Sequence, residues 1–387
     1  MIHTLAISNY RSLLNIIIPF ANLTVITGDN GSGKSNLYQS LRLLSETAHG
    51  GATSSLAQEG GLSSTLFAGP EKITKRMISG EVPVEGTPKQ QASRLKLGFC
   101  GEDFGYSVSY GFSKPLPYPT AFSLDPEIKE ENIWQGNVFS KQGAIVSRVA
   151  SLIKIRKNKQ WNVLSQHASK FDSIFYQFSD PLNAPEVHSL KSHILNWRFY
   201  DNFRTDNHAP SRIPQLGTRT PVLHHDGHNL AAAIQTIIEI GDVEEFESTI
   251  DHAFPGAKVS IEVSEDGLFK ICFHQYGLLR PLYGSELSDG TLRFLLLVAA
   301  ILSPRPPPLM VLNEPETSLH PDLIPALAKL IINASQKMQI WVVSHSKSLI
   351  ARLEQSEECH SIHLEKELGQ TKVSGQGMLD EPAWKWP

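Results

Sequence analysis

Short apolar-rich runs open the chain: Ile2 to Ile7, Leu13 to Ile18 and Leu23 to Thr27 each predict a strand. The period then lengthens. From Lys34 to about Thr47, Leu37, Leu41 and Leu44 fall on one face of a predicted helix. Between Arg94 and Ser113, Leu95, Leu97 and Phe99 alternate with other residues, as do Tyr106, Val108 and Tyr110. The turn-like Gly101 to Gly105 separates the two sets, so a hairpin is predicted. From about Pro115 to Thr220 the pattern loosens. The proline-rich Leu116 to Pro119, a predicted helix around Ala144 to Leu164 and a polar, Arg- and His-rich stretch read as an insertion. A predicted helix near Asn229 to Ile240 leads to a second hairpin, with Val259, Ile261 and Val263 facing Phe269, Ile271 and Phe273 across Asp266 and Gly267. Helix and strand then alternate to about His345.

This pattern implies an α/β fold. Residues 1–115 form a β-rich N-terminal lobe and residues 116–220 a mainly helical insertion. Residues 221–387 form a C-terminal lobe with a mixed or partly parallel central sheet flanked by helices. No internal repeat or sustained heptad is present.

Composition narrows the class. The 387 residues are 41% hydrophobic and 19% charged, ordinary globular usage, which argues against wholesale disorder. A net charge of -4 argues against a generally basic DNA-coating protein. Cys100, Cys272 and Cys359 are far apart and form no CxxC pair, as in a reduced cytoplasmic protein. The longest strongly apolar run, Phe294 to Leu302, is far short of the roughly 20 residues of a membrane span. The N-terminus lacks the basic and apolar regions of a signal peptide, so a cytoplasmic location is expected.

Four motifs carry chemistry. Gly28 to Ser35, GDNGSGKS, fits GxxxxGK followed by Ser or Thr, with a predicted strand before it and a predicted helix after it. Glycines let successive backbone N–H groups turn toward phosphate oxygens, and the helix N-terminus adds its positive dipole end. Lys34 would reach the β and γ phosphates, and Ser35 would ligate Mg²⁺. The second motif is the apolar run Leu309 to Leu312, which ends in Asn313, Glu314 and, two residues on, Glu316. It has the form of a Walker B strand. Carboxylates at such a strand end hold Mg²⁺ through water and polarise an attacking water, so Glu314 is the general-base candidate. Asn313 occupies the position of the usual first acid, keeping a carbonyl ligand while losing a charge. Third, Ser288 and Gly290 in Leu287 to Thr291 (LSDGT) open a predicted apolar helix, where a hydroxyl and a helix N-terminus form a second anion site. Fourth, Ile340 to Ser346 is an apolar strand ending in His345, and SLHP, Ser318 to Pro321, lies between it and the Walker B segment.

The order of these motifs resembles the ABC-ATPase heads of the RecF, SMC and OLD group. NYRSL near the start, GDNGSGKSNL, SELSDGTLRFL, NEPETSLHPDLIPALA, VVSHS and EPAWKWP are more closely similar to bacterial RecF-like predicted ATPases of the AAA type. The resemblance implies ATP and Mg²⁺ as cofactors. In this group the nucleotide is sandwiched between two heads, so a homodimer or higher oligomer is expected. Lys34, Glu314 and His345 would be catalytic in one copy, and Asn30, Gly31, Ser32, Gly33, Lys34, Ser35 and Asn36 would hold the nucleotide. Ser35 and Asn313 would hold Mg²⁺. Ser288 and Gly290 of the second copy would complete the site, making SLHP the D-loop. No clear Q-loop is present, Gln58 being the weak candidate. The relatives to weigh are zinc-hook repair ATPases, full SMC proteins, transporter subunits and OLD nucleases. This chain lacks the coiled coil with CxxC, the length, the LSGGQ and the visible TOPRIM module that respectively mark them.

The resemblance implies an ATP-driven switch that acts on nucleic acid or gates a separately encoded effector, a TOPRIM-like nuclease, in phage defence. The alternative is a RecF-like DNA repair ATPase that binds DNA itself, and a membrane-bound transport ATPase ranks last. Other constellations are weaker. Lys154, Arg156, Lys157 and Lys159 with Trp161 read as a solvated helix face, with nucleic-acid backbone contact as the alternative. His224, His225, Asp226 and His228 have the residue types of a metal site, but Gly227 makes an ordinary turn the plainer reading. Arg198, Arg204, Arg212 and Arg219 receive no role.

Overall fold

The computed structural model describes residues 1–69, 81, 94–113, 120–122, 124–178, 180–377 and 380–387. The proline-rich segment 116–119 lies outside the described residues. The chain divides into two compact units. The first comprises Met1–Ala21, Thr27–Asn196 and Ile362–Pro387, and the second Asn22–Ile26 and Trp197–Ser361.

The first unit is built on an eight-stranded antiparallel sheet, ordered β2-β1-β4-β5-β6-β7-β8-β9. Its strands are β1 (Ile2–Tyr10), β2 (Leu13–Pro19), β4 (Leu95–Gly101), β5 (Phe104–Phe112), β6 (Pro126–Gln135), β7 (Ala144–Val149), β8 (Leu152–Lys157) and β9 (Gln160–Ser165). β3 (Leu23–Gly28) begins in the second unit and ends in the first. The expected hairpin is β4 with β5, Leu97 opposite Val108. Helix α1 (Lys34–His49) buries Leu37, Leu41 and Leu44 and meets the sheet where Thr47 Oγ1 lies 2.7 Å from the Tyr110 hydroxyl. Shorter helices follow: α2 (Ala52–Gln58), α3 (Leu62–Thr65), α4 (Ile174–Gln177) and α5 (Pro185–Leu195). A C-terminal hairpin of β17 (Cys359–Glu367) and β18 (Gln370–Val373) pairs Leu364 with Val373 in this unit.

One expectation fails here. The helix predicted around Ala144 to Leu164 is instead the three strands β7, β8 and β9, so this part of the insertion extends the sheet. Burial alternates along β7 at Ala144, Val146 and Arg148 and along β8 at Ile153 and Ile155, the two-residue period of a half-buried strand. The left-handed residues Ala150 (φ 52°), Asn158 (φ 51°) and Lys159 (φ 64°) make tight reversals that no helix accommodates. The basic residues Lys154 to Lys159 therefore lie on strands and a turn, not on a helix face.

The second unit holds parallel strands in the order β10-β15-β16-β3. They are β10 (Arg198–Tyr200), β15 (Leu309–Asn313), β16 (Gln339–Val343) and the start of β3. Register pairs Tyr200 with Leu312, Asn313 with Val343, and Val343 with Ile26. β15 and β16 are almost wholly buried, as a parallel strand covered on both faces must be. Helices α6 (Leu230–Ile240), α7 (Val243–Ala253), α8 (Asp289–Ile301), α9 (Ile324–Ser335) and α10 (Lys347–Leu353) complete the unit, with a core around Leu295, Leu312, Leu327 and Val342. A small antiparallel sheet contains the second expected hairpin, β12 (Lys258–Val263) and β13 (Leu268–His274), with Ile261 opposite Ile271. β11 (Gln215–Leu216) and β14 (Leu282–Tyr283) also pair with β13.

Candidate functional site

In the first unit, the loop between β3 and α1 turns through three glycines with positive φ: Gly28 (143°), Gly31 (80°) and Gly33 (111°). Gly28 and Gly33 cannot be replaced without collision. A Cβ on Gly28 would lie 2.2 Å from the Leu364 carbonyl oxygen, and one on Gly33 would lie 2.1 Å from Thr371 Oγ1. Asn30 and Gly31 form an exposed tip, whereas Ser32 is buried and its hydroxyl has no partner among the described residues. Lys34 Nζ donates to the carbonyls of Gly28 (2.6 Å) and Asp29 (2.8 Å), so the ammonium sits inside the curl of the loop. Gly33 caps α1 without a side-chain hydrogen bond, and the first turn carries no acid. The positive end of a 16-residue helix is therefore left for an outside anion. A glycine cradle, an ammonium and an uncapped helix fit a polyphosphate. Ser35 is exposed on the first turn, where its hydroxyl can hold Mg²⁺, while the Asn36 amide donates to Ser12 Oγ at 2.7 Å.

In the second unit, β15 and β16 end side by side and their following residues interlock. Glu314 has φ 49°, its N–H donates to the Val343 carbonyl (2.7 Å), and its Oε1 lies 2.7 Å from His345 Nε2. The predicted base and the predicted catalytic histidine are thus direct partners, both part-exposed. Glu316 has a role that sequence reasoning missed. Its Oε1 accepts from Ser344 Oγ (2.6 Å), His345 N (2.9 Å) and Ser346 N (3.0 Å), so one carboxylate oxygen holds the turn that carries His345. Asn313, the expected metal ligand, ends β15 half-exposed.

Arg293 is the second omission. The signal was a lone arginine within the apolar run of α8. Its Nη2 donates to the Glu314 carbonyl at 3.2 Å. Burial pushes its pKa down, opposed by the nearby carboxylates of Glu316, Asp201 and Glu314.

The LSDGT segment starts α8 as expected. Ser288 Oγ accepts from Thr291 N at 3.1 Å, and Gly290 packs on SLHP, since a Cβ there would lie 2.9 Å from the Ser318 carbonyl. Ser288, Gly290, Ser318 and His320 line an open cavity of about 590 Å³. Arg212, unassigned from sequence, is buried against this segment. It donates to the Leu287 carbonyl (2.6 Å) and to Asp289 Oδ1 (2.5 Å) and so fixes the approach to Ser288.

The weaker constellations separate in the structure. Arg204 pairs with its near neighbour Asp206 on the surface, and Arg219 is exposed. Gln58 is the exposed last residue of α2. His224, Asp226 and His228 do converge, with ligand atoms within 4.8 Å of one another. Gly227, with φ 71°, makes the expected turn. Cys100, Cys272 and Cys359 are all free thiols.

The fold is that of a P-loop ATPase head of the ABC type. The chain belongs to the family described as "AAA domain, putative AbiEii toxin, Type IV TA system", which it matches over residues 23–351. Among solved structures it is similar to an Smc head bound to the C-winged helix domain of ScpA. That likeness has 15% identity, 98% coverage of both chains and a TM-score of 0.53, and it shows the fold. The SMC head domain from Thermotoga maritima is also similar, at 13% identity, covering 97% of this chain and 99% of that one with a TM-score of 0.45. No curated protein matches the chain. No helix among the described residues is long and apolar enough to cross a membrane.

Proposed function

We propose that the chain binds and hydrolyses ATP with Mg²⁺, pairs head to head with a second copy, and uses that cycle to gate a separately encoded effector. The observation that carries the nucleotide reading is the Gly28–Ser35 loop, a positive-φ glycine curl around Lys34 at an uncapped helix. Backbone N–H groups and Lys34 hold the phosphates. Glu314 takes the proton of the attacking water, with His345 holding its carboxylate, and Arg293 fixes the peptide behind it. Ser35 and Asn313 are the residues that would hold Mg²⁺, which would supply charge neutralisation at the phosphates.

Ser288 is exposed beside an open cavity, which supports the reading that a second copy presents phosphate there. A relative that binds a separate protein domain supports a separate effector, and a family described by a toxin–antitoxin system supports a role in defence. By analogy with the OLD group, the effector is a TOPRIM-like nuclease. A DNA-binding repair ATPase is the second reading, favoured by Lys154, Arg156 and Lys157 on β8 and Lys159 in the turn that follows, beside the exposed Trp161 on the edge strand β9.

Light scattering with ATP and Mg²⁺ tests the switch. Glu314→Gln should bind ATP, stop hydrolysing and accumulate as a dimer, whereas Lys34→Ala should stay monomeric. Unchanged turnover in Glu314→Gln removes Glu314 as the base. Nuclease activity that appears only with a co-purified partner supports the effector reading. Salt-sensitive DNA binding by the lone chain supports the second reading instead.

A further inference from the structure

We propose that Thr371, on the C-terminal hairpin, is the positioning residue for the phosphate loop, acting through a one-way hydrogen-bond relay that begins at Asn36. The proposal rests on the nucleotide reading above.

Thr371 is buried, and its hydroxyl donates to the Ser32 carbonyl at 2.7 Å. A carbonyl only accepts, so the single hydroxyl proton of Thr371 is committed to it. The Ser12 hydroxyl, 2.7 Å from Thr371 Oγ1, must therefore donate to Thr371. Asn36 Nδ2 in turn donates to Ser12 Oγ at 2.7 Å. The chain of donors thus runs from Asn36 to Ser12 to Thr371 to the Ser32 carbonyl, each bond polarising the next. A backbone bond from Thr371 N to the Ser12 carbonyl, 2.8 Å, locks the register of the hairpin against the β1–β2 turn.

The consequence for the loop follows from peptide geometry. In a trans peptide the C=O and the next N–H point in opposite directions. Holding the Ser32 carbonyl toward Thr371 aims the Gly33 N–H the other way, away from the hairpin and toward the side where the loop receives phosphate. Gly33 is required twice over: its φ of 111° needs glycine, and a Cβ would overlap both Oγ1 and Cγ2 of Thr371. Ser12 belongs to NYRSL, a segment that the catalytic residues leave unexplained, and the relay accounts for it.

Titration of the full-length chain with Mg²⁺ and a fluorescent N-methylanthraniloyl ATP tests this. Thr371→Val keeps the shape and removes the terminal donor, so affinity should fall about five- to tenfold, the worth of one hydrogen bond. Thr371→Ser keeps the hydroxyl and loses the methyl, and should bind within about twofold of wild type. Ser12→Ala, one step back, should show an intermediate loss. Serine rescue is the discriminating result, because a packing role would make Thr371→Ser the worse variant. Wild-type affinity in Thr371→Val overturns the proposal, as does equal weakening by serine and valine. If Thr371→Val does not fold by circular dichroism, Ser12→Ala decides, and unchanged affinity there overturns it. A wild-type chain that binds no ATP refutes the nucleotide reading itself, whereas a binding wild type with an insensitive relay refutes only this proposal.

Discussion

Glu131 and Arg148 offer the sharpest test of how the first unit holds together. They face each other in register on β6 and β7, and both side chains are completely buried. Arg148 Nη1 donates to Glu131 Oε2 (3.2 Å) and the Asp172 carbonyl (2.6 Å), Nη2 to the Ser169 carbonyl and Nε to the Ala150 carbonyl (2.8 Å). Glu131 also accepts from the Tyr106 hydroxyl (2.7 Å), the Ser173 hydroxyl (2.5 Å) and Ile174 N (3.0 Å), the last two opening α4. Burial, with Glu131 beside it, keeps the Tyr106 phenol well above its ordinary pKa, so it remains a donor. Glu131→Leu strands a buried cation at a cost of about 3–5 kcal/mol. The three orphaned donors add about 1 kcal/mol each before relaxation, which places the total at about 6–8 kcal/mol, comparable to a whole domain's stability. Glu131→Leu with Arg148→Met removes both charges and should recover about half of that loss. Hydrogen exchange of the β5 to β7 amides is the assay, because it reads local opening without assuming that two units unfold together. Unchanged protection in Glu131→Leu, or a double variant less protected than the single one, refutes the reasoning.

Three further outcomes are expected. Asn313→Asp restores a charge at the end of β15 and should raise ATP turnover about tenfold, or about 1.4 kcal/mol in the barrier; steady-state phosphate release checks it. Glu316→Ala frees the turn that carries His345, so hydrolysis should fall about a hundredfold while ATP affinity changes little, read by comparing kcat with binding titrations. Gly33→Ala drives a Cβ into Thr371 and should abolish nucleotide binding while lowering stability by about 2 kcal/mol, measured by titration and thermal melting.

Reading strand from helix succeeded where local pattern and burial agree. The Val259 to Phe273 hairpin has the predicted register, and α1 starts at the predicted Lys34. It failed at Ala144 to Leu164, where a charged Arg148 at a core position disguises the two-residue period, because its partner Glu131 lies on another strand. Arg198–Tyr200 lies in the stretch whose polar pattern predicts an insertion, yet it forms a parallel strand beside β15, since three residues carry no period.

The motif residues of the candidate site were legible in the chain itself, because a phosphate loop needs glycines, a lysine and a helix start in unbroken order, and that order is local. What local order could not contain is who holds the motif in place. Glu316 gripping the His345 turn, Arg212 bracing the approach to Ser288 and Thr371 seizing the Ser32 carbonyl join positions up to 339 apart in sequence. Hydrogen bonds act over about 3 Å whatever the chain separation. Only the folded backbone decides which distant donors come within that reach.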